Sequence, residues 1–294
     1  MQLIPWSYPT VEGFTLRGWR SPPSGKPLLH VLHGNGFCAL VYRPMLLILS
    51  ERYDLWLSDV QGHGESDHGG VFRGWNRSAE LALEAFEVGR AAYGEVPRYA
   101  IGHSFGGVLT ALILAHRPAL FERAVLLDPV LFSPRMIATF WVARWLGLHK
   151  RHGLARKAAA RRSQWPDRQT ARAALQDRGI FKGWIPQALE AYLEYALMAC
   201  PEGVRLRCRP SREVEIFSSM PRGLWPNLRR IAVPTLILHG EGSYPFVGPS
   251  VRRIASSNRM VSQLQVAGGH CFMQEAPDLA AERIIDFLRA DSKG

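Results

Sequence analysis

Cysteine is scarce and unpatterned. The four in 294 residues, Cys38, Cys200, Cys208 and Cys271, form no CxxC pair and no Cys/His spacing suited to zinc. That argues against a structural metal and for free thiols in a reducing compartment, and nothing in the sequence asks for a cofactor. No apolar run approaches the roughly 20 residues of a membrane span. The opening Met-Gln-Leu-Ile-Pro-Trp lacks the basic start and apolar stretch of a secretory signal. The expectation is a soluble, cytoplasmic protein. Internal repeats are absent, and low complexity is confined to a short Ala/Arg-rich piece at residues 154–162.

What is present is a globular composition, 47% hydrophobic and 21% charged, in a chain long enough for one large core plus an inserted subdomain. The net charge of +11 is unevenly spread. Residues 131–225 hold 17 Lys/Arg against 7 Asp/Glu, whereas the rest of the chain holds 19 against 18. No helix-turn-helix, zinc-finger or RRM signature accompanies the excess, so nucleic acid is not the expected partner. Two readings remain for the basic middle: a solvated surface, or a weak attraction to anionic surfaces.

Outside that middle, buried-looking apolar runs alternate with helical patterns. Residues 27–33 (PLLHVLH), 53–60 (YDLWLSDV), 98–103 (RYAIGH), 123–128 (RAVLLD), 234–240 (PTLILHG) and 262–266 (SQLQV) read as strands. Residues 78–93, 105–116 and 277–289 read as helices. Continuous Val/Ile/Leu strands alternating with helices predict a mostly parallel, doubly wound α/β sheet covered on both faces. Reactive groups then collect at the carboxyl ends of the strands. The basic middle breaks the rhythm and is rich in Arg and Trp. It predicts a helical cap over 131–225, inserted into a core made of 1–130 and 226–294. Its aromatics, with Phe132, Trp141, Trp145, Trp184 and Tyr192 foremost, either pack a core or line an apolar acyl pocket; position alone leaves both open.

The strongest chemical signal is Gly102-His103-Ser104-Phe105-Gly106-Gly107, between a predicted strand and a predicted helix. This is G-x-S-x-G in the strand–turn–helix setting that presents a nucleophilic serine. A Cβ at Gly102 or Gly106 is expected to collide with the neighbouring strand or helix. The helix that follows points unpaired N–H groups at the reaction centre. The bland alternative, a serine in a glycine-rich turn without chemistry, does not explain that setting.

Three further segments share a pattern. His33-Gly34-Asn35-Gly36-Phe37 closes an earlier strand, Asp59-Val60-Gln61-Gly62-His63-Gly64-Glu65-Ser66 closes the next, and Gly268-Gly269-His270 precedes the last helix. With the serine turn they resemble, in order, the oxyanion loop, the D-x-R-G-H-G-x-S segment and the histidine loop of α/β-hydrolase-fold serine hydrolases. Gln61 stands where the usual arginine would be. The resemblance covers nearly the whole chain outside the cap. It implies that Ser104 attacks an acyl carbon, that His270 takes its proton, and that the backbone N–H groups of Asn35 and Phe105 hold the oxyanion. Among the ten histidines, His33, His63 and His103 belong to turn motifs where structural hydrogen bonding is expected. His30 and His239 belong to strands. His68, His116, His149 and His152 lie in loops, at a helix end or in the cap.

The triad acid departs from the common pattern. The loop after the penultimate strand reads Gly240-Glu241-Gly242-Ser243-Tyr244, with no aspartate where relatives often carry one. Some relatives place the acid after the strand that follows the nucleophile helix, and Asp128 stands there. The order Ser104, Asp128, His270 suits the family. Glu241 is the rival acid, and Ser243 an auxiliary hydrogen-bond donor near Asp128 or His270.

A serine at the nucleophile position excludes epoxide hydrolases and haloalkane dehalogenases, which use an aspartate in that pentapeptide. The resemblance implies a carboxylesterase acting on a small ester with an apolar acyl group. Thioesterases, C–C bond hydrolases and perhydrolases share the serine. A ligand-binding protein on a hydrolase scaffold is the reading from another class. The basic cap adds an expectation of better turnover on anionic or membrane-associated esters.

Overall fold

A computed structural model of the chain describes residues 1–147 and 153–289, so His149 and His152 lie outside the described residues. The strands, in chain order, are β1 (Ile4–Pro9), β2 (Thr15–Arg20), β3 (Leu28–Leu32), β4 (Asp54–Asp59), β5 (Arg98–His103) and β6 (Arg123–Leu127), then β7 (Gln164–Trp165), β8 (Leu197–Cys200), β9 (Gly203–Leu206), β10 (Thr235–Gly242) and β11 (Val261–Gly269). Eight form one sheet in the order β1-β2-β4-β3-β5-β6-β10-β11. From β4 to β11 the neighbours run parallel, and only the β1–β2 and β2–β4 pairs are antiparallel. Every residue of β3 and β4 is buried, which is why these segments read as unbroken apolar runs.

The helices of the core are α1 (Arg43–Leu49), α2 (Trp75–Arg90) and α3 (Phe105–His116). Helix α3 is buried along every position from Phe105 to Ala115. It packs against β5, α2 and, later in the chain, the helix at 224–229. A helix without a polar face is stable only when covered on all sides, and this one is. One apolar cluster fills the face of the sheet under α2 and α3; a second fills the opposite face under α1 and the C-terminal helix.

The segment between β6 and β10 carries α4 (Pro134–Trp145), α5 (Gly153–Ala159), α6 (Arg168–Leu175), α7 (Pro186–Tyr195), α8 (Pro210–Phe217) and α9 (Leu224–Arg229). It is not purely helical, as its composition suggested. Strands β7, β9 and β8 make a second, antiparallel sheet. Its strands are two and four residues long, with β8 and β9 joined through Pro201-Glu202. Segments this short are held by their neighbours more than by their own periodicity. The expected boundary at 225 falls inside α9, which packs on α3. Trp165, Trp184 and Tyr192 are core residues of the second apolar cluster. The chain ends with α10 (Val247–Ser257), α11 (Phe272–Glu275) and α12 (Pro277–Arg289). Among the described residues no helix is long and apolar enough to cross a membrane.

The sheet register places the chemistry. Leu32 pairs with Gly102, Gly102 with Leu126, and Leu127 with Leu238. His33, Ser104 and Asp128, which follow their strands, and the end of β10 at Gly240–Gly242 with Ser243 after it therefore lie at one level on the carboxyl edge of the sheet.

Candidate active site

Ser104 occupies the turn between β5 and α3 with φ 53° and ψ −112°. This conformation is strained for a residue with a side chain, and strain of this kind persists only where the surroundings enforce it. They do. The Ser104 N–H donates to Leu127 O at 2.9 Å, and the Gly106 N–H donates to His33 O at 3.1 Å. The neighbours must be glycine, because a Cβ on Gly102 would lie 2.3 Å from Gly106 O and one on Gly106 would lie 2.4 Å from Leu32 O. The first collision is with the helix and the second with the strand, as the pentapeptide predicts.

His270 reaches Ser104 from the end of β11. Its Nε2 lies 2.9 Å from Ser104 Oγ and its Nδ1 lies 2.5 Å from Asp128 Oδ2. Asp128 is fully buried, with φ 44°, directly after β6. Its Oδ1 accepts the Gly240 N–H at 2.8 Å, and its Oδ2 also accepts the Ser243 hydroxyl. A carboxylate only accepts, so Nδ1 carries the imidazole proton and the Nε2 lone pair faces the serine hydroxyl. Glu241 is exposed, and it is Asp128 that holds His270. Ser243 sits where an auxiliary donor was expected.

Asn35 and Phe105 line the same cavity as Ser104 and His270. Phe105 is the first residue of α3, so its N–H has no intrahelical acceptor. The Asn35 side chain points away from the cavity's chemistry: Nδ2 donates to Glu213 O at 3.4 Å and Oδ1 lies 3.3 Å from His63 Nε2.

The turn histidines hold the frame. His33 donates through Nδ1 to Gly34 O at 2.8 Å and accepts the Val60 N–H at 3.0 Å. His63 donates to Gln61 O at 3.1 Å and accepts the Gly36 N–H at 3.1 Å. His103 donates through Nε2 to the carbonyl of His270 at 3.0 Å and accepts from Tyr42 Oη at 2.6 Å, and Tyr42 in turn accepts the Gly34 N–H at 3.0 Å. One chain of hydrogen bonds thus joins the 33–37 loop, the serine turn and the histidine loop. Gln61 donates to the carbonyls of His68, Gly69 and Val71 at 3.2, 2.9 and 3.1 Å. A guanidinium does reach this loop, but from α8: the buried Arg212 donates to His68 O and Gly70 O, each at 2.6 Å.

Burial keeps these imidazoles neutral, which ties stability to pH. Desolvation lowers His30 to about 3 and His33 to about 4, and pushes His63 and His103 well below the usual histidine value. The unfolded chain binds protons on them below about pH 6.5 and the folded chain does not, so their contribution is complete above that pH and lost as the pH falls. By pH 5, His30 and His33 each lower stability by about 2 kcal/mol. Asp59 acts in the opposite sense. Its burial raises the carboxyl to about 6, so stability rises as the pH drops from there towards 4, by about 1 kcal/mol at pH 5. For His30, His33 and Asp59 together the balance between pH 7 and pH 5 is a loss of about 2–3 kcal/mol, and His63 and His103 act in the same sense as the other two imidazoles. A urea midpoint clearly lower at pH 5 than at pH 7 is the expected result; equal midpoints would contradict the burial of neutral imidazoles.

The cavity over Ser104 has a volume of about 370 Å³. Its walls are apolar: Trp75 from α2, Phe132 between β6 and α4, Phe140 from α4, Ile216 and Phe217 from α8, and Phe246 before α10. Among the described residues His270 and Tyr244 are the only titratable groups on the lining, with the Tyr244 ring 4.6 Å from that of His270. Of the aromatics singled out from sequence, only Phe132 lines it. Trp184 and Tyr192 are buried core, while Trp141 and Trp145 are exposed. Glu275, which accepts the Gly269 N–H at 3.0 Å and so braces the histidine loop, and Tyr244 carry no motif in the sequence.

A parallel sheet whose carboxyl edge presents a strained serine, an imidazole and a buried carboxylate defines a class, and comparison with known proteins places the chain in it. The chain belongs to the alpha/beta hydrolase family, whose family model matches residues 29–283. It is 27% identical over 146 residues to the abhydrolase domain-containing protein ACTT2 of Alternaria alternata, a match covering 49% of this chain and 48% of that protein. It is 30% identical over 129 residues to the monoglyceride lipase of Mus musculus, covering 43% of each. The chain thus spans about half the length of these curated relatives. The fold is similar to that of E-2-(acetamidomethylene)succinate hydrolase, with TM-score 0.80 and 22% identity over 98% of this chain and 100% of that one.

Proposed function

We propose that the protein is a serine hydrolase that cleaves carboxylic esters with an apolar acyl group through an acyl-enzyme. The observation that carries this reading is the hydrogen-bonded line Asp128–His270–Ser104 opening on an apolar cavity. In the forward step His270 Nε2 takes the Ser104 proton as Oγ bonds to the acyl carbon. The resulting oxyanion is held by the N–H groups of Phe105 and Asn35, and Asp128 stabilises the imidazolium. The imidazolium then gives its proton to the departing alkoxide, leaving the acyl group on Ser104. Water, deprotonated by the same imidazole, releases the acid and restores the serine.

In this reading residues 131–225 are the cap, with α4 and α8 roofing the acyl pocket. The four cysteines are free thiols, three of them buried, which suits a reducing cytoplasm. Among the described residues the pocket lining holds no cation to carry the expected preference for anionic esters. The test is a panel of p-nitrophenyl esters. Neutral aliphatic acyl groups should turn over at least about tenfold better, in kcat/KM, than acyl groups ending in a carboxylate, because burying an unpaired charge costs several kcal/mol. No turnover of any ester on the panel would favour the ligand-binding scaffold instead.

A further inference from the structure

Helix α4 is apolar on two opposite sides. Met136, Thr139, Phe140 and Ala143 recur at i, i+3, i+4 and i+7 and line the cavity over Ser104. Ala138, Trp141, Val142 and Trp145 recur with the same spacing, two positions on, and face the other way. That outward side is open to solvent: Trp141 is 42% exposed, Val142 58%, Trp145 85% and the next residue, Leu146, 55%. Two tryptophans and two aliphatic side chains in one turn and a half make an unusual surface for a soluble chain. Arg135 and Arg144, both exposed, flank the apolar stripe on its two sides. Arg144 lies 5.9 Å from the Trp141 ring centroid. From Pro129 to Pro166 the sequence has eight Lys/Arg and no Asp or Glu.

A stripe of tryptophan and aliphatic residues flanked on its own helix by two exposed arginines has a specific complement. Tryptophan settles at the boundary between acyl chains and headgroups, arginine reaches the phosphates, and a segment without Asp or Glu sets no carboxylate of its own against an anionic leaflet. We propose that the outward face of α4 is a docking surface for anionic lipid bilayers. Docking there would lay α4 flat on the membrane with its inner face still walling the pocket. A lipid-dissolved ester could then enter the cavity without crossing water; this link to substrate, unlike the docking itself, rests on the esterase reading above. It also gives the charge of the basic middle a partner outside the pocket.

The full chain is tested by co-sedimentation with vesicles of phosphatidylcholine alone and of phosphatidylcholine with 30% phosphatidylglycerol, in low and high salt. Binding to the anionic vesicles is expected, weakened by salt and at least about tenfold weaker to neutral ones, because the cations beside the stripe are attracted to the anionic leaflet alone. The double variant Trp141→Ser, Trp145→Ser should lower the anionic partition coefficient by about tenfold or more, while its turnover of a soluble p-nitrophenyl ester stays at the wild-type value. Unchanged binding in the double variant would overturn the proposal, as would equal binding to both vesicle types. A concentration-dependent dimer that the double variant abolishes, without vesicle binding by the wild type, would assign the face to a second copy of the chain and overturn it as well. Vesicle binding is read without turnover and soluble-ester turnover without vesicles, so each idea can fail alone.

Discussion

Replacing Ser104 with alanine should lower kcat on a p-nitrophenyl ester by about 10⁶-fold, with the fold unchanged. The magnitude follows from the arrangement. Ser104 Oγ is the atom that bonds to the acyl carbon in the proposed reaction, and no other hydroxyl is held 2.9 Å from His270 Nε2 among the described residues. What survives is the catalysis of a bare oxyanion site acting on water. His270→Ala should cost a similar amount, and the double variant little more than either single one, because nucleophile and base act as one unit. An alanine variant keeping a tenth of wild-type activity would mean that the ester is cleaved elsewhere. Circular dichroism on the variant separates loss of chemistry from loss of structure.

The second large effect belongs to Asp128. Asp128→Asn should lower kcat by about 10⁴-fold through the imidazole tautomer, not through the fold. The Gly240 N–H already donates to Oδ1 at 2.8 Å, so the amide oxygen of an asparagine is drawn to that position. Its NH2 then faces His270 Nδ1, which must become the acceptor. The proton moves to Nε2 and points at Ser104, where a lone pair is needed. Glu241→Gln, at an exposed position, should cost no more than a few fold. Ser243→Ala removes one of the donors to Asp128 Oδ2 and should cost about tenfold or less, in keeping with a hydrogen bond worth about 1 kcal/mol. The reverse ranking, Glu241→Gln inactive and Asp128→Asn active, would remove Asp128 from the account.

How much of this could be read from the chain depends on how local the constraint is. Gly102 and Gly106 are forced by contacts within one strand–turn–helix unit, so a pentapeptide carries the signal. β3, β5 and β6 are buried on both faces, so each reads as an apolar run on its own. Asp128 was legible because it directly follows such a run. The rest depends on partners distant in sequence. The β1–β2 hairpin was not anticipated: β1 begins and ends near Pro5 and Pro9, and only Trp6 of its six residues is buried. Helix α10 was also missed, since Gly248 and Pro249 near its start read as a loop. The pocket lining was the least legible part. With apolar residues on both sides of α4, no stripe distinguishes Phe140, which faces the cavity, from Trp141, which faces solvent. Only the position of α4 over the sheet settles that choice.

The central claim, that Ser104 is an activated nucleophile, is tested most directly by covalent capture. A fluorophosphonate transfers its phosphonyl group, with loss of fluoride, only to a serine whose proton a neighbouring base removes. Intact-mass analysis of the wild-type chain after brief exposure should show one adduct, and peptide mapping should place it on Ser104. The adduct should be absent in Ser104→Ala and slowed by orders of magnitude in His270→Ala. A wild-type chain that stays unlabelled, or one labelled at another residue, would contradict the account.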